Sequence, residues 1–431
     1  MKKLLLILFT IAIGSTSFCQ SLSLQDAINI ALQKSLDLQL LKNNVEIESI
    51  NNYIGIAGGL PVVSAQAADN EQKTNVHQQL NSGTIIKRNG ALGNTYTSSV
   101  SAGMLLYNGS RVTATKHRLE QLQSQSGQYL NSRVQNTMSS VMMSYFDIVR
   151  QQAYTKLLNK SIEVAQKQLD IVKAQQSVGM ANNADLFQSQ INLNTFIQQK
   201  QAQQLVIDQA KTGLLLLLNL RPDSLITVAD TIIIDPNLVL GDVLNNLNRN
   251  ADILAAENQI KINEFIVKET KAQRYPSLVS NAGYNYNRSQ TSAGNVLLNQ
   301  NNGAFASLTL AIPIYNGSIY KRQQKVAEIN VQNATLQKDI VARNYAAHAV
   351  QTYQAYLSSI QQLDSQRVNV DLAQRLIDLE LQRFQLHAAT IVELIQAQQS
   401  FQNAAYTFIN LSYAAKSSEI ELKRLINQIK F

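Results

Sequence analysis

The 431-residue chain is poor in side chains that do chemistry, with one cysteine (Cys19), four histidines (His77, His117, His348 and His387) and no tryptophan. A structural zinc site needs four clustered Cys or His ligands, and nucleophilic catalysis needs a Ser, Cys or Thr beside a positioned base. His117 and His348 have no partner ligand nearby in sequence and read as packing or surface positions. His387 could titrate near neutral pH, but a lone His of this kind is more often a solvated turn residue. Gly58-Gly59 lacks the spacing of a phosphate loop. No metal or cofactor site emerges, and an enzyme is not expected. Two carboxylates stand out by position: Asp185 in Ala184-Asp185-Leu186-Phe187-Gln188 and Glu393 in Val392-Glu393-Leu394-Ile395-Gln396. Acids there suit the first turn of a helix, whose macrodipole favours negative charge. Crowded into a narrow mouth, the same acids would attract cations and raise one another's pKa.

Composition narrows the elements that could position them. Hydrophobic residues make up 45% and charged residues 15% of the chain, against about a quarter charged in a typical soluble domain. Five Pro and 17 Gly argue against a disordered or loop-rich chain. The net charge of +8 is not gathered into Lys/Arg clusters with interleaved aromatics, so no nucleic-acid partner is expected. Residues 1–19 read as a secretory signal: Lys2 and Lys3, the apolar run Leu4–Ile13, then Ser17-Phe18-Cys19 before Gln20. The rival reading makes Cys19 a lipid-carrying residue, which bulky Phe18 disfavours. Cleavage there would leave no cysteine for a disulfide. No later stretch offers the roughly 18 apolar residues of a transmembrane helix, so a membrane span would have to use strands.

Internal duplication is the strongest signal. Leu22-Ser-Leu-Gln-Asp-Ala resembles Leu238-Val-Leu-Gly-Asp-Val, Pro61 falls on Pro276, and Leu106-Tyr-Asn-Gly109-Ser110 matches Ile314-Tyr-Asn-Gly317-Ser318. The repeats cover 20–220 and 237–431, joined by a linker at 221–236. Helices are expected at about 23–57, 111–177 and 184–218, and again at about 238–272, 318–384 and 392–427. The two longest would reach about 100 Å each, which calls for coiled-coil neighbours. Pro61 and Pro276 are expected to close the first helix of each repeat.

Between helices the hydrophobic period becomes two, giving strands at about 62–73, 95–107, 277–289 and 303–315. Ala304, Ala306, Leu308, Leu310, Ile312 and Ile314 alternate with Phe305, Ser307, Thr309 and Ala311. One apolar and one polar face over about ten residues suits a barrel wall between lipid and water. Tyr284 and Tyr286 fit an interfacial girdle or ordinary strand positions equally. The segments 71–95 and 288–302 read as polar outward loops. Four strands cannot close a transmembrane barrel, which needs about eight, and open edges are forbidden in lipid. Other copies of the chain must complete it.

In order, spacing and duplication these features resemble the TolC family of outer-membrane efflux ducts. The residues that carry the resemblance are Leu22–Ala27, the junctions Pro61, Gly109, Pro276 and Gly317, and the tips Val178-Gly179-Met180 and Thr390–Leu394. It implies a mainly α fold with a membrane β-barrel part, built from a duplicated helix–β-hairpin–helix unit. It further implies a homotrimer whose three sets of four strands make a twelve-stranded barrel in the outer membrane of a Gram-negative bacterium. Long helical hairpins would then extend into the periplasm towards an adaptor and an inner-membrane pump of RND, ABC or MFS type. By resemblance Glu393 takes the place of a gate acid, Gln396 stands where a second acid can occur, and Asp185 is their counterpart in the first repeat. The Tyr and Arg latch of well-known members is replaced by Phe384 and Ala389, so that latch does not carry over. Val178, Gly179, Met180, Leu386, His387, Ala388 and Ile391 at the turns are the expected adaptor-docking surface, the bland alternative being packing on the neighbouring hairpin. The expected function is a passive exit duct for efflux or type I secretion; the alternative is a periplasmic adaptor or structural protein that forms no pore.

Overall fold

The computed structural model describes residues 20–429, and the expected signal segment with Cys19 lies outside the described residues. A two-residue strand Gln20–Ser21 (β1) is followed by helices Leu24–Lys34 (α1) and Leu36–Asn51 (α2), strands Val62–Gln79 (β2) and Ile85–Tyr107 (β3), and helices Arg111–Ser177 (α3) and Asn183–Leu217 (α4). The pattern then repeats with strand Ile226–Thr227 (β4), helices Leu240–Asn246 (α5) and Ala251–Ala272 (α6), strands Ser277–Thr291 (β5) and Leu298–Ala311 (β6), and helices Ile319–Gln385 (α7) and Ile391–Leu425 (α8). α3 and α7 are 67 residues each, and α4 and α8 are 35 each. Their starts and ends lie 208 positions apart, as Arg111 and Ile319 or Leu217 and Leu425 show. Val62 and Ser277 open their strands 215 positions apart. The chain is mostly helical with one small antiparallel sheet.

Two compact units share these elements. The first holds residues 20–43, 128–254 and 340–429 of the described chain. Its largest core joins Ala27, Ile28 and Ala31 of α1 to Met138, Val141, Tyr145 and Ile148 of α3 and Leu214, Leu215 and Leu218 at the end of α4. A second core joins Val243 of α5 and Ile253 of α6 to Ala349 and Tyr356 of α7 and Leu422 and Leu425 of α8. The linker binds both: β4 pairs in parallel with β1, Ile232 packs on the first core and Ile234 on the second. The Tyr356 hydroxyl donates to the Asp235 carbonyl. Helix breaks at Ser35 (ψ 122°) and Asn250 (ψ 130°) interrupt what the sequence suggests are continuous first helices. The side-chain oxygen of Asn250 accepts from Asp252 N (2.9 Å) and its Nδ2 donates to Leu425 O (2.9 Å), a local backbone bond that competes with the helix.

The second unit holds residues 44–127 and 255–339. Its sheet runs β2-β3-β5-β6, wholly antiparallel, with β2 and β6 as edges. The register keeps the expected faces together: Val63 lies opposite Ala102, Ala102 opposite Ala282, and Ala282 opposite Ala306. Several expected boundaries are corrected. Pro61 does not end a helix, because α2 stops at Asn51, turns fill Ile54–Gly58, and Pro61 immediately precedes β2. Nor does Pro276, since α6 ends at Ala272 and Pro276 precedes β5. The segment expected as a loop at 71–95 is mostly β-ribbon, with only Leu80–Thr84 as its turn, where Gly83 takes φ +85°. β6 ends at Ala311 rather than 315. Pro313 has no N–H to offer, and β5, opening at Ser277 opposite Ala311, leaves no strand beside 312–315.

Candidate functional site

The two helical tips lie in the first unit, and both are built by capping. α3 ends with Gly179 at φ +76°, its N–H on Gln176 O (3.0 Å) while Met180 N reaches Gln175 O (2.8 Å). α7 ends the same way, with His387 at φ +59° donating to Phe384 O (3.2 Å) and Ala388 N to Arg383 O (2.8 Å). This paired 5→2 and 6→1 bonding closes a helix through one left-handed residue. Glycine adopts that conformation freely, whereas His387 holds it under strain. The return helices open on side-chain caps: Asn182 Oδ1 accepts from Asp185 N (2.8 Å), and Thr390 Oγ1 accepts from Glu393 N (3.2 Å).

Glu393 completes the second cap. Its Oε2 accepts from Thr390 N (2.6 Å) and from Thr390 Oγ1 (3.0 Å), a full capping box. The Thr390 amide and then its hydroxyl hold the Glu393 carboxyl below the ordinary carboxylate range. Within one chain, therefore, Glu393 is a helix-terminus acid. Asp185 is half-buried at the equivalent turn, and Gln396 is exposed one turn further along α8.

Apolar packing fixes the two tips against each other. Val172, Phe384 and Leu394 are buried together, with Ala181, Leu186, Ala389 and Ile391 around them. Gln175 Nε2 reaches Phe384 O at 3.5 Å. Phe384 and Ala389, which stand where the resemblance places a polar latch, are parts of this apolar plug. Of the expected docking residues Ile391 belongs to the plug, whereas Val178 (69% exposed), Met180 (62%) and Leu386 (77%) project outwards with Gly179, His387 and Ala388 beside them. Sequence reading did not single out Arg383, which donates to Ala388 O (2.9 Å) and Glu380 Oε1 (2.7 Å) and so braces the second turn. Its spacing of three from Glu380 was the available signal.

Further along the same unit a polar layer interrupts the apolar seam. Asn192 Nδ2 donates to Gln168 Oε1 (3.1 Å) and Gln398 Oε1 (2.8 Å), and both glutamines are buried with their Nε2 atoms unpartnered. Among the described residues no cluster of three or more His, Cys, Asp or Glu could hold a metal ion, and no helix is long and apolar enough to cross a membrane. In the second unit the junction glycines Gly109 (φ +66°) and Gly317 (φ +67°) each precede a second left-handed residue, Ser110 or Ser318. A Cβ on Gly109 would meet Ala272 O at 2.9 Å and Tyr275 Cβ at 2.7 Å.

Comparison with known proteins converges on one family. Residues 27–220 and 244–428 each match the family model described as outer membrane efflux protein. A probable outer membrane lipoprotein, SilC of Salmonella typhimurium, is 24% identical over 172 residues, which is 40% of this chain and 37% of that protein. Among solved structures, CusC superposes with a TM-score of 0.79 at 18% identity over 94% of this chain and 91% of its own. VceC of Vibrio cholerae gives 0.75 at 17% identity over 94% and 96%. The duplicated match spans most of the sequence, and the chain belongs to the outer membrane efflux protein family, a channel family of the Gram-negative outer membrane with a large periplasmic helical portion.

Proposed function

We propose that the chain is one third of a passive exit duct, a homotrimer with a twelve-stranded barrel that conducts cargo delivered by a periplasmic adaptor and an inner-membrane pump. The carrying observation is the four-stranded sheet with alternating faces and two open edges, β2 and β6, in a chain of this family. Unpaired edge amides and carbonyls are not tolerated in hydrocarbon, so copies must pair edge to edge. A periplasmic adaptor would have to keep the same edges and apolar face in water. The exposed tip residues Val178, Met180 and Leu386 form the docking surface for the adaptor, and a ring of Asp185 and Glu393 lines the entrance. The pump supplies the energy, and its type (RND, ABC or MFS) follows from the adaptor that docks.

The test is reconstitution. Protein purified from outer membranes without denaturant and added to planar bilayers should give discrete ion-conducting pores. A preparation that binds lipid yet never conducts would contradict a duct. Docking is tested separately with cysteines at Met180 or Ala388. Crosslinks in cells to one periplasmic protein of adaptor size are expected, and their absence at both positions would remove the tips from the docking surface.

A further inference from the structure

The two repeats are equally folded but unequally covered, and the difference specifies how one copy meets the next. In the second unit, the outer face of the first repeat is packed against the second. Arg118 Nε of α3 pairs with Glu269 Oε1 of α6 at 2.7 Å, Gln125 Nε2 reaches Gln259 Oε1 at 3.1 Å, and the His117 ring stacks on Phe265 at 5.4 Å. β3 pairs with β5, so that Ala102 faces Ala282 and Met104 faces Ser280. The same outer face of the second repeat is bare. Val326, the counterpart of Arg118, is 59% exposed, and the complementary face of the first repeat is bare as well, since Ile50, the counterpart of Phe265, is 66% exposed. Nothing stands within 4 Å of a Cβ on Gly317, whereas its counterpart Gly109 is pressed against α6 and Tyr275. Residues 312–315 are not strand and Tyr315 is 83% exposed, although their counterparts Met104, Leu105 and Tyr107 pair with β5.

We infer that a second copy of this chain covers that face in the register already used inside the chain. This rests on the homo-oligomeric reading above and adds the register to it. The equivalence has an internal check. Offsets of 215 for β2 to β5 and 208 for β3 to β6 carry the pair Val62–Gly103 onto Ser277–Ala311, which is the pair observed. Applied to the β3–β5 pairing, the same offsets place Leu310 of β6 opposite Ala67 of β2 in the next copy. Ile312 then meets Ala65 and Tyr315 meets Val63, while Ile314 takes the unpaired place of Leu106 at the irregularity. The parity is the one that keeps both apolar faces on the same side, which a slip of one residue would reverse. Pro313 falls where Leu105 stands, beside the irregularity at Leu105/Tyr107 in the first repeat, a place that tolerates a missing N–H. Beyond the strands the offsets bring Val326 of α7 against Ile54, in the turn after α2 of the next copy, an apolar contact in place of the internal Arg118–Glu269 ion pair.

Paired cysteines test the register in the full-length chain in native outer membranes. Within one copy position 67 is level with Asn302 across the sheet, so position 310 lies three strand spacings across and eight residues along, about 30 Å away and too far for a disulfide. Oxidation of the Leu310→Cys/Ala67→Cys variant should therefore link copies only, in a fraction about tenfold above Leu310→Cys/Ala65→Cys or Leu310→Cys/Asp69→Cys, whose partners lie about 7–8 Å apart diagonally. Val326→Cys/Ile54→Cys should link copies likewise, with the parent chain and single-cysteine variants as controls for Cys19. Dominant linkage at Ala65 or Asp69, or no linkage in protein whose unlinked mass in detergent is trimeric, overturns the register and leaves the duct standing. A monomeric mass in detergent-extracted protein overturns the oligomer itself and the register with it.

Discussion

Glu393 is committed to a helix terminus before it can serve an entrance. Because the Thr390 amide and hydroxyl depress its pKa, its stabilising effect is complete above the ordinary carboxylate value of about 4.3 and is lost as pH falls through the lower folded value. Hydrogen exchange of the peptide around residues 384–394, corrected for intrinsic rates, should stay level from pH 7 to 5 and lose protection below about pH 4. A Glu393→Gln variant should lack that loss; equal pH dependence in both would discount the cap. His387, left-handed at φ +59° where the first tip has Gly179, makes an opposite prediction in sign. His387→Gly should protect the end of α7 by about 0.5–1 kcal/mol and Gly179→Ala should expose the end of α3 by a similar amount. Both acids were legible as first-turn residues, and Thr-x-x-Glu at 390–393 carries a capping-box signature that the sequence reading passed over. The Arg383 brace depends on where a turn carbonyl points, which spacing alone does not specify.

The elements divide into those set by local pattern and those set by neighbours. α3, α4, α7 and α8 follow their sequence boundaries within a residue or two, because long uninterrupted periodicity and sharp caps agree. The breaks at Ser35 and Asn250 were less legible: each lies inside an amphipathic run, and only a side-chain bond to the backbone reveals it. Strand ends were the least legible, since β2 and β3 lengthen by pairing with each other and β6 stops where its neighbour does. At the tips the plug of Val172, Phe384 and Leu394 packs the two turns together. Leu394→Ala should cost the tip about 2–5 kcal/mol by leaving a cavity. Limited proteolysis should then cut within 384–394 well before the rest of the chain, and an unchanged cleavage order would show that the plug does not hold the tips.

For the whole molecule the repeat was legible from sequence, and the family match independently divides the chain into two segments. In the proposed duct, closure of the sheet falls to other copies of the chain. If three copies crowd Asp185 and Glu393 at the entrance, the double variant Asp185→Asn/Glu393→Gln should lower cation-over-anion selectivity and weaken block by divalent cations in planar bilayers. Unaltered selectivity would leave both acids as helix caps alone. The most direct measurement is a single-cysteine scan of β6 from Ala304 to Leu310 in outer-membrane lipid, each site carrying an environment-sensitive fluorophore. Bromine-bearing lipid chains should quench positions 304, 306, 308 and 310, while positions 305, 307 and 309 react instead with a water-soluble thiol reagent. Uniform access from water along the strand, with no quenching at Leu308 or Leu310, would contradict a barrel wall.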